Sequence, residues 1–381
     1  MKKIKVLAVI LSFVFVFSAF AACAGDDPAP AAAAGDYPVI SLAPRPIQQA
    51  VGPLGEALFS YDDLYLTDEE VEQIRAGGYT AAIVMHYGGS DWSRLAQTGA
   101  QTKLEYLGIE VLAITSADFN DEQQVADLET VMALNPDIII SIPTDPATTA
   151  DAFMRVAEAG IHLVFFGNVA DGMVHGQHYI SAVACDNFGG GANAARMMGQ
   201  ALGGEGRIGH VYHDAVFFVT NQRDIGFRET IRDEFPGIEI VESAGFDDIM
   251  RAGEVADAML TRTPDLDGIH VTWDTGAELV VSSAIAAGRT DIFITSCDLG
   301  DNVARMIAEK GLVVGISAQR PFHHGISAGI LAGMGLVGRD APPYVVVPPI
   351  PTYFSNILEV YEIVFNAPPP GWLVDLYEAN Q

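Results

Sequence analysis

Residues 79–114 read YTAAIVMHYGGSDWSRLAQTGAQTKLEYLGIEVLAI and contain a strand, a polar turn, a helix and a second strand in order. Ala81–Met85 is a continuous apolar run, typical of a strand that is covered on both faces. Apolar residues then recur at helical spacing from Trp92 to Leu107, and Ile109–Ile114 is a second apolar run. This pattern predicts parallel strands joined by a crossover helix.

The same alternation continues along the chain. Further strands are predicted at Asp137–Ile142, Ile161–Phe166, Ile208–Tyr212, Ile238–Ser243, Gly268–Thr272, Asp291–Ser296 and Val313–Ser317. A helix is predicted around Val125–Met132, and Asp145-Pro146 predicts the N-cap and first residue of the next helix. Two successive runs of about five strands predict an α/β protein with two doubly wound parallel-sheet lobes, which suits a chain of 381 residues.

The N-terminus has the pattern of an export signal. Residues 1–5 are basic, residues 6–20 are apolar, and Ala21-Ala22-Cys23 follows. The apolar run is short for a transmembrane span. Small residues directly before a cysteine resemble a bacterial lipobox, which implies lipidation of Cys23 and an extracytoplasmic, lipid-anchored protein. Ordinary cleavage near Cys23 and an uncleaved anchor are the alternatives.

The segment after the signal divides into two parts. Residues 24–38 are rich in Ala, Pro, Gly and Asp and are predicted to form a flexible tether. Residues 39–78 are interpreted as an N-terminal extension packed on the first lobe. Within it, Thr67 and Glu70 have the spacing of a capping box, which predicts the start of a helix.

Composition limits the classes of partner. Lys and Arg total 20 against 49 Asp and Glu, for a formal net charge of −29. Such a surface repels nucleic acid and anionic lipid headgroups. Beyond Cys23 the cysteines are Cys185 and Cys297, whose separation fits neither a metal motif nor a redox motif. Two buried thiols are predicted, and a disulfide between them is the alternative.

Polar and aromatic residues follow the predicted strands. In open parallel sheets, ligands bind beyond the carboxyl ends of the strands, so these residues are the candidate site. They include Trp92, Asn168, Arg223, Phe246, Trp273, Asp274, Asp298 and Gln319. Carboxylate, amide and guanidinium groups pair with hydroxyls, and aromatic faces cover the C–H surface of a sugar-like ring. The sequence therefore predicts a site for a polyhydroxylated solute.

These residues carry a resemblance to a known family. From about Tyr79 to Pro351 the chain is similar to the ribose/galactose-type periplasmic binding proteins, the sugar-binding subunits of ABC importers. The resemblance implies ligand-binding roles for the stacking position Trp92-Ser93, Arg223 in NQRDIGF, Phe246, Asp298 in TSCDLG and the hinge-proximal Gln319 in SAQRPFHHG.

The chain also departs from the family pattern. Trp273-Asp274 occupies the place of an Asn-Asp pair. Gly167 stands where a ligand-binding Asp is common, which leaves Asn168 as the nearest polar group, and Ile142 stands where some members have Asn. The resemblance therefore implies a sugar or polyol without naming it.

The resemblance implies three crossings between lobes, near Ala184–Asp186, Gln319–Arg320 and Pro343–Val346. The first lobe would comprise residues 79–185 plus 320–344, and the second residues 186–319 plus 345–381, with a C-terminal extension. A three-segment hinge would close a ligand cleft between the lobes. A monomer without a cofactor would then deliver its solute to an ABC permease. The alternative is a receptor for a small signal molecule that docks on a membrane sensor.

Enzyme and metal motifs are weak. Residues 325–329 fit G-x-S-x-G, but Ser327 falls inside a predicted helix rather than at a strand-to-helix turn. Residues 204–209 fit G-x-G-x-x-G but precede a strand, whereas a dinucleotide loop follows one. The histidine pairs lack a clear chelating geometry. These pairs are His175 and His178, His210 and His213, and His323 and His324. The prediction is a binding protein with no catalytic residue and no metal.

Overall fold

The computed structural model describes residues 37–381. The predicted signal sequence with Cys23, and residues 24–36 of the predicted tether, lie outside the described residues. Among residues 37–381, no helix has the length and apolar character needed to cross a bilayer. Two sheets organise the described chain into two α/β lobes, which confirms the predicted fold class.

The structure contains thirteen strands and twelve α-helices in residues 37–381. The strands are β1 (Leu58–Ser60), β2 (Thr80–Met85), β3 (Glu110–Ser116), β4 (Ile138–Ser141), β5 (His162–Phe166), β6 (Ser181–Cys185), β7 (Glu205–His213), β8 (Gly237–Phe246), β9 (Gly268–Val271), β10 (Phe293–Cys297), β11 (Val313–Ala318), β12 (Tyr344–Val347) and β13 (Ile350–Tyr353). The helices are α1 (Asp68–Gly77), α2 (Asp91–Tyr106), α3 (Asp121–Met132), α4 (Ala150–Glu158), α5 (Asn187–Ala201), α6 (Phe218–Glu234), α7 (Ala252–Arg262), α8 (Asp274–Ala286), α9 (Asp301–Ala308), α10 (Pro321–Leu336), α11 (Ile357–Phe365) and α12 (Gly371–Ala379).

The first lobe is built on a seven-stranded sheet with strand order β1-β12-β6-β5-β4-β2-β3. Every neighbouring pair in this sheet is parallel. The second lobe has a six-stranded sheet of order β13-β11-β10-β9-β7-β8, in which only β13 runs antiparallel to its neighbour. The carboxyl ends of the parallel strands therefore gather at one edge of each sheet.

Local sequence explains where the elements begin. The buried strand β4 consists of three isoleucines and a serine, as expected for a parallel strand covered on both faces. Ser90 caps α2 by accepting from the Ser93 amide, and Thr67 and Glu70 form the predicted capping box at α1. The prediction that Asp145 caps a helix was wrong in position. Asp145 accepts from two amides of a preceding turn, and α4 begins only at Ala150.

Glycines bring one pair of helices into close contact in each lobe. A Cβ on Gly99 of α2 would collide with the carbonyl oxygen of Phe322 in α10, and one on Gly325 would collide with Ala96 of α2. In the second lobe, a Cβ on Gly191 of α5 would collide with the carbonyl oxygen of Arg223 in α6. Only residues without a side chain allow the helix backbones to approach this closely.

The chain passes between the lobes at three places near those expected. It leaves β6 of the first sheet for α5 at Asp186, and it leaves β11 of the second sheet for α10 at residues 319–320. The third passage follows β12. Because Tyr344–Val347 pairs with β6, residues 345–347 belong to the first sheet, and the expected boundary after residue 344 falls too early.

The N-terminal segment was predicted to pack on the first lobe, and it also packs on the second. Tyr37 donates to the Val313 carbonyl at 3.1 Å, and Ile40 is buried among second-lobe residues. Tyr37 is therefore packed and is not part of a free tether. The chain then reaches Asp186, which accepts from the Gln48 amide at 2.6 Å, before β1 joins the first sheet. Residues 37–60 thus make a fourth connection between the lobes.

The remaining cysteines are free thiols. Cys185 ends β6 and Cys297 ends β10, and both are buried. The alternative of a disulfide between them is wrong in this structure. Burial raises the pKa of Cys297 to about 12, so its sulfur is protonated at neutral pH.

Candidate functional site

A cleft of about 770 Å³, including its opening to solvent, lies between the carboxyl ends of the two sheets. Seven of the predicted ligand-binding residues line it: Trp92, Ser93, Arg223, Trp273, Asp274, Asp298 and Gln319. These residues are far apart in sequence, but each closely follows a parallel strand or lies in the first two turns of the helix after it. The structure therefore brings most of the predicted site together.

An ion pair forms the polar centre of the cleft wall. Arg223 Nη1 donates to Asp298 Oδ2 at 2.9 Å, and Nη2 lies 3.4 Å from Oδ1. Arg223 Nη1 also donates to the Thr272 carbonyl at 3.2 Å, and Nε is 3.4 Å from Asn187 Oδ1. These bonds hold the planar guanidinium in one orientation. A fixed guanidinium beside a carboxylate presents donors and acceptors together, as a vicinal diol requires.

Asp298 lies in an uncommon backbone conformation. Its φ is 70°, in the left-handed region, directly after β10. The Asp298 amide donates to the Ser317 carbonyl at 3.0 Å, which fixes this turn. Burial raises the pKa of Asp298, and the charge of Arg223 opposes that rise. The turn directs the carboxylate toward α6, where Arg223 lies.

Asp274 is a second buried carboxyl at the cleft. Its Oδ1 accepts from the Thr275 amide at 2.7 Å. Among residues 37–381, no Lys, Arg or His forms an ion pair with it, in contrast to Asp298. Burial, together with the charge of Asp298, raises the pKa of Asp274 to about 8. Asp274 is therefore protonated over much of the neutral range and can donate a hydrogen bond.

Aromatic rings cover the cleft from both lobes. The Trp92 indole N–H donates to Gln319 Oε1 at 2.8 Å, which ties the first lobe to a hinge residue. Trp273 directly precedes α8 in the second lobe, and its ring meets the Phe246 ring edge-on, with the ring centroids 5.0 Å apart. Such faces suit the C–H surface of a sugar ring.

Two predicted residues do not line the cleft. Phe246 is buried behind Trp273 and supports its ring instead. Asn168 is fully buried, and neither of its side-chain amide atoms has a hydrogen-bond partner in the described protein. The cause is Gly167, whose φ of 62° turns the chain after β5. Gly167 consequently lies at the cleft, and Asn168 lies in the interior.

Several cleft residues were not among the predicted site residues. They are chiefly aromatic and histidine side chains: His86, Tyr87, Phe119, His213, Phe217 and His324, together with Asn187. Burial lowers the pKa of His86 and of His324 to about 3, so both rings are neutral. His86 follows β2 and His213 ends β7, so the rule that ligands bind at strand ends could have identified both as cleft residues from the sequence. His324 lies within α10 and not at the end of a strand, so the same rule could not have identified it.

The two lobes touch across the cleft. Phe217 and Val219, at the start of α6, pack into the apolar core of the first lobe. The Phe217 ring stacks on His86 at 5.7 Å. At another point, the Asp301 amide donates to Asp91 Oδ2 at 3.0 Å. These contacts define a closed arrangement of the lobes.

One group of potential metal ligands occurs in the described residues. His210, Asp224 and His270 have ligand atoms within 4.8 Å of one another, and all three are buried. His210 Nε2 lies 3.1 Å from Asp224 Oδ1, which also accepts from Thr272 Oγ1 at 2.7 Å. The carboxylate is therefore satisfied by protein donors. We interpret His210, Asp224 and Thr272 as a hydrogen-bond network that joins α6 to β7 and to the end of β9. His270 contacts the Thr295 carbonyl through Nδ1 at 3.1 Å, and its Nε2 has no partner among the described residues.

This fold and cleft define a two-lobed protein that encloses a small ligand between its lobes. A family model described as "Periplasmic binding protein domain" matches residues 81–334. The chain belongs to this family, as the resemblance implied. The family is one of binding and transport proteins rather than enzymes, and it gives the chain an extracytoplasmic location.

Solved structures show the same architecture. An ABC transporter solute-binding protein from Agrobacterium vitis, bound with α-D-tagatopyranose, is 25% identical, with a TM-score of 0.70 over 75% of this chain and 99% of that one. An ABC sugar transporter subunit from Rhodobacter sphaeroides is 25% identical, with a TM-score of 0.64 over 72% and 98%. A Bacillus halodurans solute-binding protein with myo-inositol, at 19% identity, has a TM-score of 0.67 over 75% and 98% and shows the fold alone. No curated protein matches the chain significantly.

Proposed function

We propose that this protein captures a sugar or polyol in the interlobe cleft and delivers it to an ABC permease. The observation that carries the proposal is the Arg223–Asp298 pair, which lines the cleft together with the rings of Trp92 and Trp273. Similar proteins from Agrobacterium vitis and Rhodobacter sphaeroides, which are described as ABC transporter components, support it.

The polar groups have complementary roles toward hydroxyls. Arg223 donates, Asp298 accepts, and protonated Asp274 does either. Trp92 and Trp273 cover the ring faces and exclude water, which strengthens these hydrogen bonds. Among the predicted residues, Ser93 and Gln319 complete the site from α2 and the hinge. We assign Asn168 and Phe246 supporting positions outside the contact surface.

Delivery follows from closure of the lobes. Residues of both lobes and of the hinge surround the cleft, so a ligand in it contacts more protein in the closed form than in an open one. Such differential affinity shifts the population toward the closed form. A permease that binds the closed surface would then receive loaded protein selectively.

Calorimetric titration with a panel of sugars and polyols tests ligand binding. Binding to the folded state should also raise the melting temperature. Arg223→Lys keeps a positive charge beside Asp298 but loses the planar guanidinium, which donates several hydrogen bonds in fixed directions. The substitution should therefore weaken ligand binding at least about tenfold. Arg232→Lys, on the exposed side of α6, is the matched control and should leave affinity unchanged. Unchanged affinity in Arg223→Lys would contradict the site assignment.

We also propose that Cys23 carries the lipid that holds the protein at the bacterial membrane. The support is the export-signal pattern that ends in Ala21-Ala22-Cys23. In Cys23→Ser cells, the protein should move from the membrane fraction to the soluble fraction. Cys185→Ser, which changes a buried thiol, is the control and should stay with the membrane. Membrane retention of the Cys23 variant would refute the anchor.

A further inference from the structure

Five neighbouring residues of the cleft have no hydrogen-bonding side chain. Strands β4, β5 and β6 are neighbours in the first sheet. Ile142 and Gly167 directly follow β4 and β5, Val183 lies within β6, and all three line the cleft. Phe217 and Val219 of the second lobe face them and line the same cavity. Together these five residues form the apolar corner of the cleft.

The backbone of the apolar corner is also occupied. The Ile142 carbonyl accepts from Gln124 Nε2 at 2.8 Å. The Gly167 amide donates to the Val183 carbonyl at 2.9 Å, and the Gly167 carbonyl accepts from the Tyr344 hydroxyl at 2.9 Å. A ligand hydroxyl at this corner therefore meets backbone groups whose partners are already supplied by the protein.

The charged and amide side chains of the cleft lie away from the five residues of the apolar corner. Asn187, Arg223, Asp274, Asp298 and Gln319 lie on the side of the second lobe and the hinge. A ligand that fills the cleft consequently has its hydroxyls at one end and meets an apolar surface at the other. Burying a hydroxyl without a partner is unfavourable, whereas burying an alkyl group is favourable.

We propose that the ligand is a sugar or polyol with a deoxygenated, methyl- or alkyl-bearing carbon, and that this carbon occupies the apolar corner. The inference rests on the proposed function and narrows its substrate class. The hydroxyls of such a ligand bind Arg223 and Asp298, while its alkyl end packs against Ile142 and Val219. A fully hydroxylated analogue of the same stereochemistry leaves one hydroxyl unpaired.

Calorimetric titration of the full mature protein with matched pairs tests this inference. The pairs are L-fucose and L-galactose, L-rhamnose and L-mannose, 6-deoxy-D-glucose and D-glucose, and 5-deoxy-D-ribose and D-ribose. In the pair of suitable stereochemistry, the deoxy sugar should bind at least about tenfold more tightly, a difference of about 1.4 kcal/mol. Equal or tighter binding of the hydroxylated member would overturn the inference.

Variants of the corner provide an independent measurement. Val219→Thr keeps the side-chain shape and adds a hydroxyl to the corner, so it should reduce the deoxy preference several-fold. Val216→Thr makes the same change at an exposed position in the loop before α6 and should leave the preference unchanged. An identical preference in Val219→Thr and wild type would place the alkyl group elsewhere and refute the assignment.

The outcomes separate the two proposals. Tighter binding of hydroxylated sugars refutes the apolar-corner inference and leaves sugar capture standing. Absence of binding across the panel, measured on protein with a cooperative melting transition, counts against sugar capture itself and removes the inference with it.

Discussion

Replacement of Asp274 by Asn should remove a pH dependence of stability that the wild-type cleft imposes. Burial raises the pKa of Asp274 from 3.8 to about 8. Between these values the folded protein retains a proton that the unfolded chain has lost. Stability therefore falls as pH rises through this window and becomes level above about pH 8. Asn is neutral at every pH and still accepts from the Thr275 amide, so the variant lacks this fall.

The magnitude follows from the size of the shift. Each pH unit in the window changes the free energy of unfolding by up to about 1.4 kcal/mol. From pH 5 to pH 7, wild type should lose up to about 3 kcal/mol relative to Asp274→Asn. Urea unfolding of ligand-free protein at half-unit pH intervals measures this difference. Asp257→Asn, an exposed position on α7, should follow the wild-type curve. Parallel curves for wild type and Asp274→Asn would refute the buried, protonated carboxyl.

Two further substitutions test the framework of the cleft. Gly99→Ala should lower the free energy of unfolding by about 1–3 kcal/mol because the new Cβ collides with the Phe322 carbonyl oxygen. Gly371→Ala is the control, since open space surrounds Gly371, and it should leave the free energy of unfolding unchanged. Urea unfolding of both variants measures the difference. Tyr344→Phe removes the hydroxyl that donates to the Gly167 carbonyl and should cost about 1–3 kcal/mol by leaving a buried acceptor unpaired. A melting temperature of Tyr344→Phe equal to wild type would contradict that role.

Periodicity was sufficient to predict the two-lobed fold. The sequences of buried strands such as β4 and amphipathic helices such as α2 indicate which of their sides are buried, because every apolar side must be covered by another element. The strand-end rule then brought Arg223 and Asp298 to one cleft although they are far apart in sequence. Neither step needs knowledge of how distant loops pack.

The remainder depends on tertiary contacts that local patterns do not encode. The Gly167 turn buries Asn168, and no neighbouring residue signals that outcome. Phe217 ends the short loop after β7, yet it enters the core of the opposite lobe. The short strand β13 reverses direction because it pairs with β11 after the last crossing. Each of these features is decided by which surfaces meet after the sheets have formed.

The N-terminal connection between the lobes, residues 37–60, affects the affinity for the ligand. Residues 48 and 49 bind Asp186 at the point where the chain bends between the sheets, at 2.6 and 3.0 Å. Any opening that reorients this bend must stretch or break those two bonds. The free-energy difference between the open, ligand-free form and the closed, ligand-bound form is thus partly set by residues that do not contact the ligand. Substitutions before β1 can therefore change the affinity for the ligand without changing which ligand is preferred.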